Sequence, residues 1–427
     1  GTHEPEKIDT FIERSFVVFH DFLYSLLPAE MQKQLPRDRY VDYSRFRSLW
    51  NKEFARRQEA RRMSPDVAWH TIRSYIKGIR SSRDDELSPE EFRALPRRRR
   101  SVSEETYKQV YERVWQSWYK RLCDEDGYWD DQDLAACVLE KGLAQTVDCA
   151  ALFCDEAQDF TPLELDIIYQ FSLFGRRSLQ PEELKRVPIV FAGDPLQTIN
   201  PTGFRWDAVQ ADFHERFCAV LDPRRRARVD ISHKELNFNY RSNPEVVRFC
   251  NLIQLARAAL LGPLDITPQE AWWFEPPKTI YLAEKTEATK VGIKQRPDFV
   301  KLVNCEEGEE SDYVGEDEIL STLQENVEGV YRNVFSPMRA KGLEFPAVVL
   351  YKFCGEDPPD FDKLLRGEID IDTPEARLPY EYFFNRLYVA ASRAKEDLVI
   401  VDSINAIQKF WRFATEPEWV DRLMQRV

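Results

Sequence analysis

The sequence predicts a helical first third followed by parallel α/β architecture, and three observations support that expectation. Aromatic residues and leucines recur at helical three- and four-residue spacing up to about residue 145. From about 146, short apolar runs alternate with helical patterns, the texture of a parallel sheet with crossover helices. The 427 residues are 43% hydrophobic, 31% charged and 13% aromatic, a composition that fits an ordered globular chain and, at about 100–200 residues per domain, two or three domains.

The helical part is read from three segments. FIERSFVVFHDFLYSLL and YSRFRSLWNKEFARRQEARR each place apolar residues on one helix face. SEETYKQVYERVWQSWYKRL opens on Ser103 with Thr106 three positions on and Glu104 and Glu105 in the first turn, a capping pattern with Thr in place of the usual Glu or Gln. Its stripe of Tyr107, Tyr111, Trp115, Trp118 and Tyr119 reads as core packing. SRDDELSPEEFRALPRRRRS, broken by Pro89 and Pro96, reads as a loop or short helical link.

Strands are expected at AALFC, VPIVFAG, KTIYLA, FVKLVN, YRNVFSP, PAVVLYKF and DLVIVD, with helices at TPLELDIIYQFSLF, NPEVVRFCNLIQLARAALL, DYVGEDEILSTLQENV and YFFNRLYVAASRAK. GPLDITPQEAWWFEPPK, rich in proline and acid, reads as a connection. No run approaches 18 apolar residues, so no membrane span is expected. The polar, acidic start is unlike a signal peptide. Eight scattered cysteines without a C-x-x-C pair read as buried free thiols, which points to cytoplasm or nucleus. The net charge of −14 argues against a uniformly nucleic-acid-binding surface. Local arginine clusters (Arg97–Arg100, Arg224–Arg226, and Arg56, Arg57, Arg61 and Arg62) read either as solvated faces or as phosphate contacts.

Five segments place chemistry beside apolar elements. In AALFCDEAQDF, Asp155 and Glu156 follow a strand, where α/β sheets hold ligands. One carboxylate there can hold Mg²⁺ and its neighbour can orient or deprotonate a water; a capped helix start is the alternative. In VPIVFAGDPLQTI, Gln197 sits on the turn after a strand, a place from which a glutamine can hydrogen-bond an attacking water or a γ-phosphate. LNFNYRSNPEVV, SPMRAKGLEFPAVVLY and NRLYVAASRAKEDLVIV then contribute Arg241, Lys341, and Arg393 with Lys395. A guanidinium grips phosphate oxygens through paired donors.

In this order DEAQD, GDPLQTI, NYRS, KGLEF and VAASRAK resemble motifs II to VI of superfamily 1 helicases of the UvrD/Rep type, over about residues 148–402. GDPLQTINPTGFRW, KGLEFPAVVLYKF and SYIKG are similar to the UvrD-like proteins that carry tetratricopeptide and ankyrin repeats. The resemblance implies two RecA-like (P-loop NTPase) domains. The first, 146–232, is incomplete and follows a helical accessory (1B-like) region at 1–145; the second spans 233–427. It also implies an ATP-dependent helicase or translocase that tracks single-stranded nucleic acid, DNA rather than RNA. Asp155 would coordinate Mg²⁺ and Glu156 would activate water. Gln197 would sense the γ-phosphate, Arg241 and Arg393 would contact it, and Glu344 would touch the ribose. Lys341 and the aromatics Phe204 and Trp206 would face the nucleic acid, Phe204 and Trp206 either stacking on bases or packing between motor domains.

The phosphate loop G-x-x-x-x-G-K-[ST] is absent, and no lysine in the chain follows a glycine. The chain also begins with glycine, so we expect an excised piece whose Walker A segment lies upstream on the same or another polypeptide, and expect the isolated chain to be inactive. An ATPase-deficient scaffold that keeps the motor fold is the alternative. No nuclease pattern is found.

Overall fold

The computed structural model describes residues 15–57, 63–80, 82, 85–96, 100–147, 149–171, 188–199, 232–262, 267–273, 280–286, 296, 298–322, 333–355, 360–368, 371 and 373–425. The chain divides into two compact units, Gly1–Gly193 with Pro201–Ile231, and Asp194–Asn200 with Ser232–Val427. Asp194–Asn200 thus groups with the second unit although its chain neighbours on both sides group with the first.

The first unit is mostly helical as expected, with helices that the sequence reading singled out and others at Pro65–Thr71 and Asp131–Glu140 that it did not. They are α1 (Phe19–Leu26), α2 (Tyr43–Leu49), α3 (Pro65–Thr71), α4 (Pro89–Ala94), α5 (Glu104–Val110), α6 (Asp131–Glu140) and α7 (Pro162–Phe171). The side chains of Asp42, Ser64, Ser88, Ser103 and Asp130 each accept from a first-turn amide. Ser103 does so with Thr106 as its partner, while reciprocal boxes form at Ser88 with Glu91 and at Asp130 with Asp133. α2, α3 and α5 pass into wider π turns at Trp50–Phe54, Ile72–Ile76 and Tyr111–Tyr119, a feature the periodicity does not reveal.

The aromatic stripe is core. Tyr107, Trp115, Trp118 and Tyr119 are buried with Phe46, Trp50, Phe54 and Trp69. A second cluster of Leu23, Leu27, Trp129, Leu134, Leu163 and Ile167 joins α1, α6 and α7. Strands β1 (Leu152–Cys154) and β2 (Ile189–Phe191) pair in parallel. Leu165, Ile168 and Tyr169 of α7 pack on their inward side chains, while Phe153 and Val190 point out and stay exposed, the two-residue alternation of a strand.

The second unit is built on a five-stranded parallel sheet. Its strands are β5 (Tyr281–Glu284), β6 (Val300–Val303), β7 (Val334–Phe335), β8 (Phe345–Tyr351) and β9 (Ala394–Asp402), in the order β5-β9-β8-β6-β7. One face is covered by α8 (Pro244–Leu261) and α9 (Pro374–Ala391), through Val246, Phe249, Ile253, Phe384 and Leu387. On the other face Val303, Val349 and Tyr351 pack with Val314 and Leu320. Burial on both faces explains why these strands read as continuous apolar runs.

One departure from the sequence reading lies in the AWW stretch, expected to be a plain connection. There β4 (Glu270–Ala271) pairs in parallel with β3 (Phe238–Asn239). The ribbon exposes Phe238, Tyr240, Trp272 and Trp273, with the Tyr240 and Trp272 ring centroids 4.9 Å apart. Among the described residues every cysteine is free, and no helix is long and apolar enough to cross a membrane.

Candidate functional site

The candidate residues of the first unit, Asp155 and Glu156, stand at the carboxyl end of β1. After Cys154 the chain turns sharply: Glu156 adopts φ 52°, a left-handed conformation unusual for a residue with a side chain and often found where function holds strain. The Asp155 carboxylate accepts the Glu156 amide at 2.9 Å. The turn is tied to β2 by two backbone bonds, Ala192 N–H to Cys154 O and Ala157 N–H to Ala192 O, both 2.8 Å. Gln158, fully buried, donates its side-chain amide to the Glu156 carboxylate. Sequence reasoning missed Gln158, although its place inside DEAQD was a signal.

Gly193 faces this turn because nothing larger fits. A Cβ there would lie 2.3 Å from Gln158 Oε1, 3.1 Å from the Ala157 nitrogen and 3.2 Å from the Gln158 nitrogen. Two adjacent carboxylates at the end of a parallel strand fit Mg²⁺, which takes one or two protein carboxylates and completes its shell from water and phosphate oxygens. Among the described residues no group of three or more His, Cys, Asp or Glu could cage a metal without such help.

In the second unit the candidates gather at the amino ends of β8 and β9. Pro195–Gln197 is a single helical turn capped by Asp194, whose carboxylate accepts the Leu196 amide at 2.9 Å and the Gln197 side-chain amide at 3.0 Å. Tyr388 of α9 also hydrogen-bonds Asp194. Burial and that carboxylate push the Tyr388 hydroxyl well above its ordinary value, so it stays protonated. Asn385, one turn earlier on α9, donates to Thr198 O at 2.9 Å, and Lys341 donates to Gln197 O at 2.9 Å. Neither Asn385 nor Tyr388 was singled out in the sequence; their three-residue spacing on one helix face was the available signal.

Arg393 sits in the turn between α9 and β9 and is only 2% exposed. Its guanidinium donates to Val389 O at 3.1 Å, Leu343 O at 3.3 Å, Ser392 Oγ at 3.0 Å and Gln197 Oε1 at 3.0 Å. Lys341 ends the helical turn Pro337–Ala340, and Gly342 follows at φ 78°, the left-handed position that lets the chain reverse into β8.

Arg241 is placed by the NYRS turn. The Asn239 carboxamide oxygen accepts the Arg241 and Ser242 amides at 3.0 and 2.9 Å. Ser242 Oγ donates to Ala394 O at 2.7 Å, and the Asn243 amide donates to Lys395 O at 2.8 Å, fastening the turn to the start of β9. Asn243 then caps α8, followed by Pro244 at its first position. From there Arg241 pairs with Glu344 at 2.6 Å, and Lys395 lies 3.5 Å from the same carboxylate.

The second unit therefore brings Gln197 together with Arg393 and Lys341, and Arg241 together with Glu344 and Lys395. Arg393 and Lys341 both donate to Gln197, and Arg241 and Lys395 both approach the Glu344 carboxylate. Asp155 and Glu156 belong to the first unit. Phe204 and Trp206 lie outside the described residues, as do Arg61, Arg62, Arg97–Arg99 and Arg224–Arg226. No family model matches the chain, and no curated protein matches it.

Proposed function

We propose that this chain is part of an ATP-dependent motor of the UvrD-like type that moves on single-stranded nucleic acid, DNA rather than RNA. The observation that supports it best is the Arg393–Gln197 hydrogen bond at 3.0 Å, with Lys341 and Asp194 holding the same glutamine. Three of the five segments that resemble helicase motifs, GDPLQTI, KGLEF and VAASRAK, supply these residues.

In this reading Asp155 and Glu156 hold Mg²⁺ and orient water, with Gln158 fixing the Glu156 carboxylate. Bound ATP with Mg²⁺ would supply the phosphoryl group whose transfer to water drives movement. Arg393 and Arg241 bind phosphate oxygens. Both are engaged by protein acceptors: a neutral carboxamide oxygen for Arg393 and a half-exposed carboxylate for Arg241. A phosphate oxygen is a stronger acceptor than a carboxamide. Arg393 would therefore exchange Gln197 for phosphate, freeing the Gln197 side-chain oxygen to accept from water while its amide stays on Asp194. That exchange couples nucleotide state to the GDPLQTI turn.

The test is strand-stimulated ATP hydrolysis by the polypeptide that joins this chain to a phosphate-binding loop, with Glu156→Gln as control. Stimulated hydrolysis lost in the control is expected. No stimulation, or full activity in the control, overturns the reading in favour of a scaffold that keeps the fold.

A further inference from the structure

We infer that Arg73, on the π turn Ile72–Ile76, is a positioning residue for the Asp155–Glu156 turn, acting through Glu164 and Thr161. The inference rests on the function proposed above for that turn. The DEAQD turn runs directly into α7, so the start of α7 fixes where the turn ends. Thr161 and Glu164 set that start. The Glu164 carboxylate accepts the Thr161 amide at 2.7 Å and its hydroxyl at 3.0 Å, and the Glu164 amide donates back to Thr161 Oγ1 at 3.3 Å. Thr161 Oγ1 also lies 2.8 Å from Gln132 Oε1, so its single proton is shared between Gln132 and Glu164.

The helical region grips this cap from two sides. The Leu163 amide, inside the first turn of α7, donates to Gly78 O at 3.1 Å. Gly78 can be no larger, because a Cβ there would lie 2.3 Å from Arg73 O and 2.8 Å from Ser74 O. The Arg73 guanidinium then reaches the Glu164 carboxylate at 3.4 Å, with Asp131 at 3.9 Å. Burial works against the Arg73 charge, but Glu164, Asp131 and Asp159 of the DEAQD segment outweigh it and hold the group cationic.

Beside it the fully buried Lys77 ammonium is shared by Asp130 and Asp133 at 2.5 Å each, and Arg80 meets Asp133 at 2.8 Å. Buried ion clusters add little net stability, because desolvation offsets attraction, but removing one partner leaves the other charge buried and alone, which is costly. The Lys77 and Arg80 pairs fasten this segment to α6, while Arg73–Glu164 and the Leu163–Gly78 bond set the start of α7 and with it the orientation of the two-carboxylate turn. A carboxylate displaced by about 1 Å loses on the order of 10²-fold in rate.

The experiment uses Arg73→Met and Arg73→Lys in the polypeptide that joins this chain to a phosphate-binding loop. Hydrogen exchange at the Thr161 and Leu163 amides is read alongside kcat, nucleotide KM and the Mg²⁺ requirement. The expected result for Arg73→Met is exchange at those two amides at least 10-fold faster in a chain that still melts cooperatively. The kcat should fall 10- to 100-fold, with more Mg²⁺ needed and KM nearly unchanged; Arg73→Lys, which keeps the charge, should recover part of kcat. Unchanged exchange, or a loss confined to KM, overturns the inference. Should Arg73→Met not fold, Arg73→Lys gives the same readings with smaller expected changes. Failure of the wild-type polypeptide to hydrolyse ATP would sink the proposed function instead, and the exchange measurement would still decide whether Arg73 holds the turn.

Discussion

Arg393 donates to the Gln197 side-chain oxygen at 3.0 Å, so a cation before β9 and a glutamine on the GDPLQTI turn act as one unit. The same guanidinium satisfies the Val389 and Leu343 carbonyls in a place with almost no water. Arg393→Ala should therefore cost about 2–4 kcal/mol, since buried acceptors lose their donor. Under the proposed function it should also lower ATP turnover by about 10³-fold or more. Arg393→Lys separates the two effects, keeping much of the stability while losing most of the turnover. Thermal melts and steady-state hydrolysis read them independently.

Gly193 is the tightest point around the DEAQD turn. In Gly193→Ala the new methyl group must displace the Gln158 side chain, whose amide holds the Glu156 carboxylate. Overpacking of this kind costs about 1–3 kcal/mol. The expected outcome is a modest drop in melting temperature and, under the proposed function and in the polypeptide that carries a phosphate-binding loop, a disproportionate fall in kcat. Equal activity per folded molecule in the variant would show that Gln158 does not set the Glu156 orientation.

Lys301 lies on β6 with only 1% of its surface exposed, and its ammonium donates to Arg296 O at 3.2 Å. Burial pulls the group down to about 8, against a small opposing pull from Asp298. Below that value the folded chain carries a charge it would rather shed. Between about 8 and the ordinary lysine value near 10.4 the unfolded chain binds more protons, so stability rises with pH across this window. Lys301→Met should stabilise the second unit by about 1–3 kcal/mol at pH 7 and remove that rise. Urea midpoints at pH 7 and 10 check both.

His20 shows the opposite sign. Its ring nitrogen lies 2.8 Å from the Asp131 carboxylate, beneath Tyr40 and stacked on Trp129. The hydrogen bond to Asp131 raises its pKa against the effect of burial, with the charges of Asp131 and Asp21 adding and Arg37 opposing. A raised folded-state value means the pair stabilises fully below about pH 6.5 and loses that contribution as pH climbs through the folded value. His20→Gln should therefore destabilise the first unit most below about pH 6.5, and the difference should shrink as pH climbs through the raised folded value. A difference that does not change with pH would show that the charge on His20 contributes nothing.

Much of this fold was legible because short-range signals agreed. Ser103, Asn243 and Pro244 start helices where the sequence places them, and the apolar runs of β6, β8 and β9 are strands covered on both faces. The grouping of Gln197 with Arg393 was expected only through motif resemblance, because a contact between residues so far apart leaves no periodicity. Gln158, Asn385 and Tyr388 were not legible as site residues, since a buried polar side chain looks like any other until its partner is placed. The β3–β4 ribbon was missed because proline-rich flanks mask two-residue strands, and the π turns because they keep the apolar face of an ordinary helix.

That ribbon also gives the molecule a built-in optical reporter. Trp272 and Trp273 are 48% and 49% exposed, and the Trp273 indole donates to Tyr240 O at 2.6 Å, next to Arg241. Trp118, Trp129 and Trp411 are sealed from solvent. Emission from the outer pair should be red-shifted and open to acrylamide quenching while the inner indoles stay dark to the quencher. Any occupancy beside Arg241 can then be followed by fluorescence without attaching a dye.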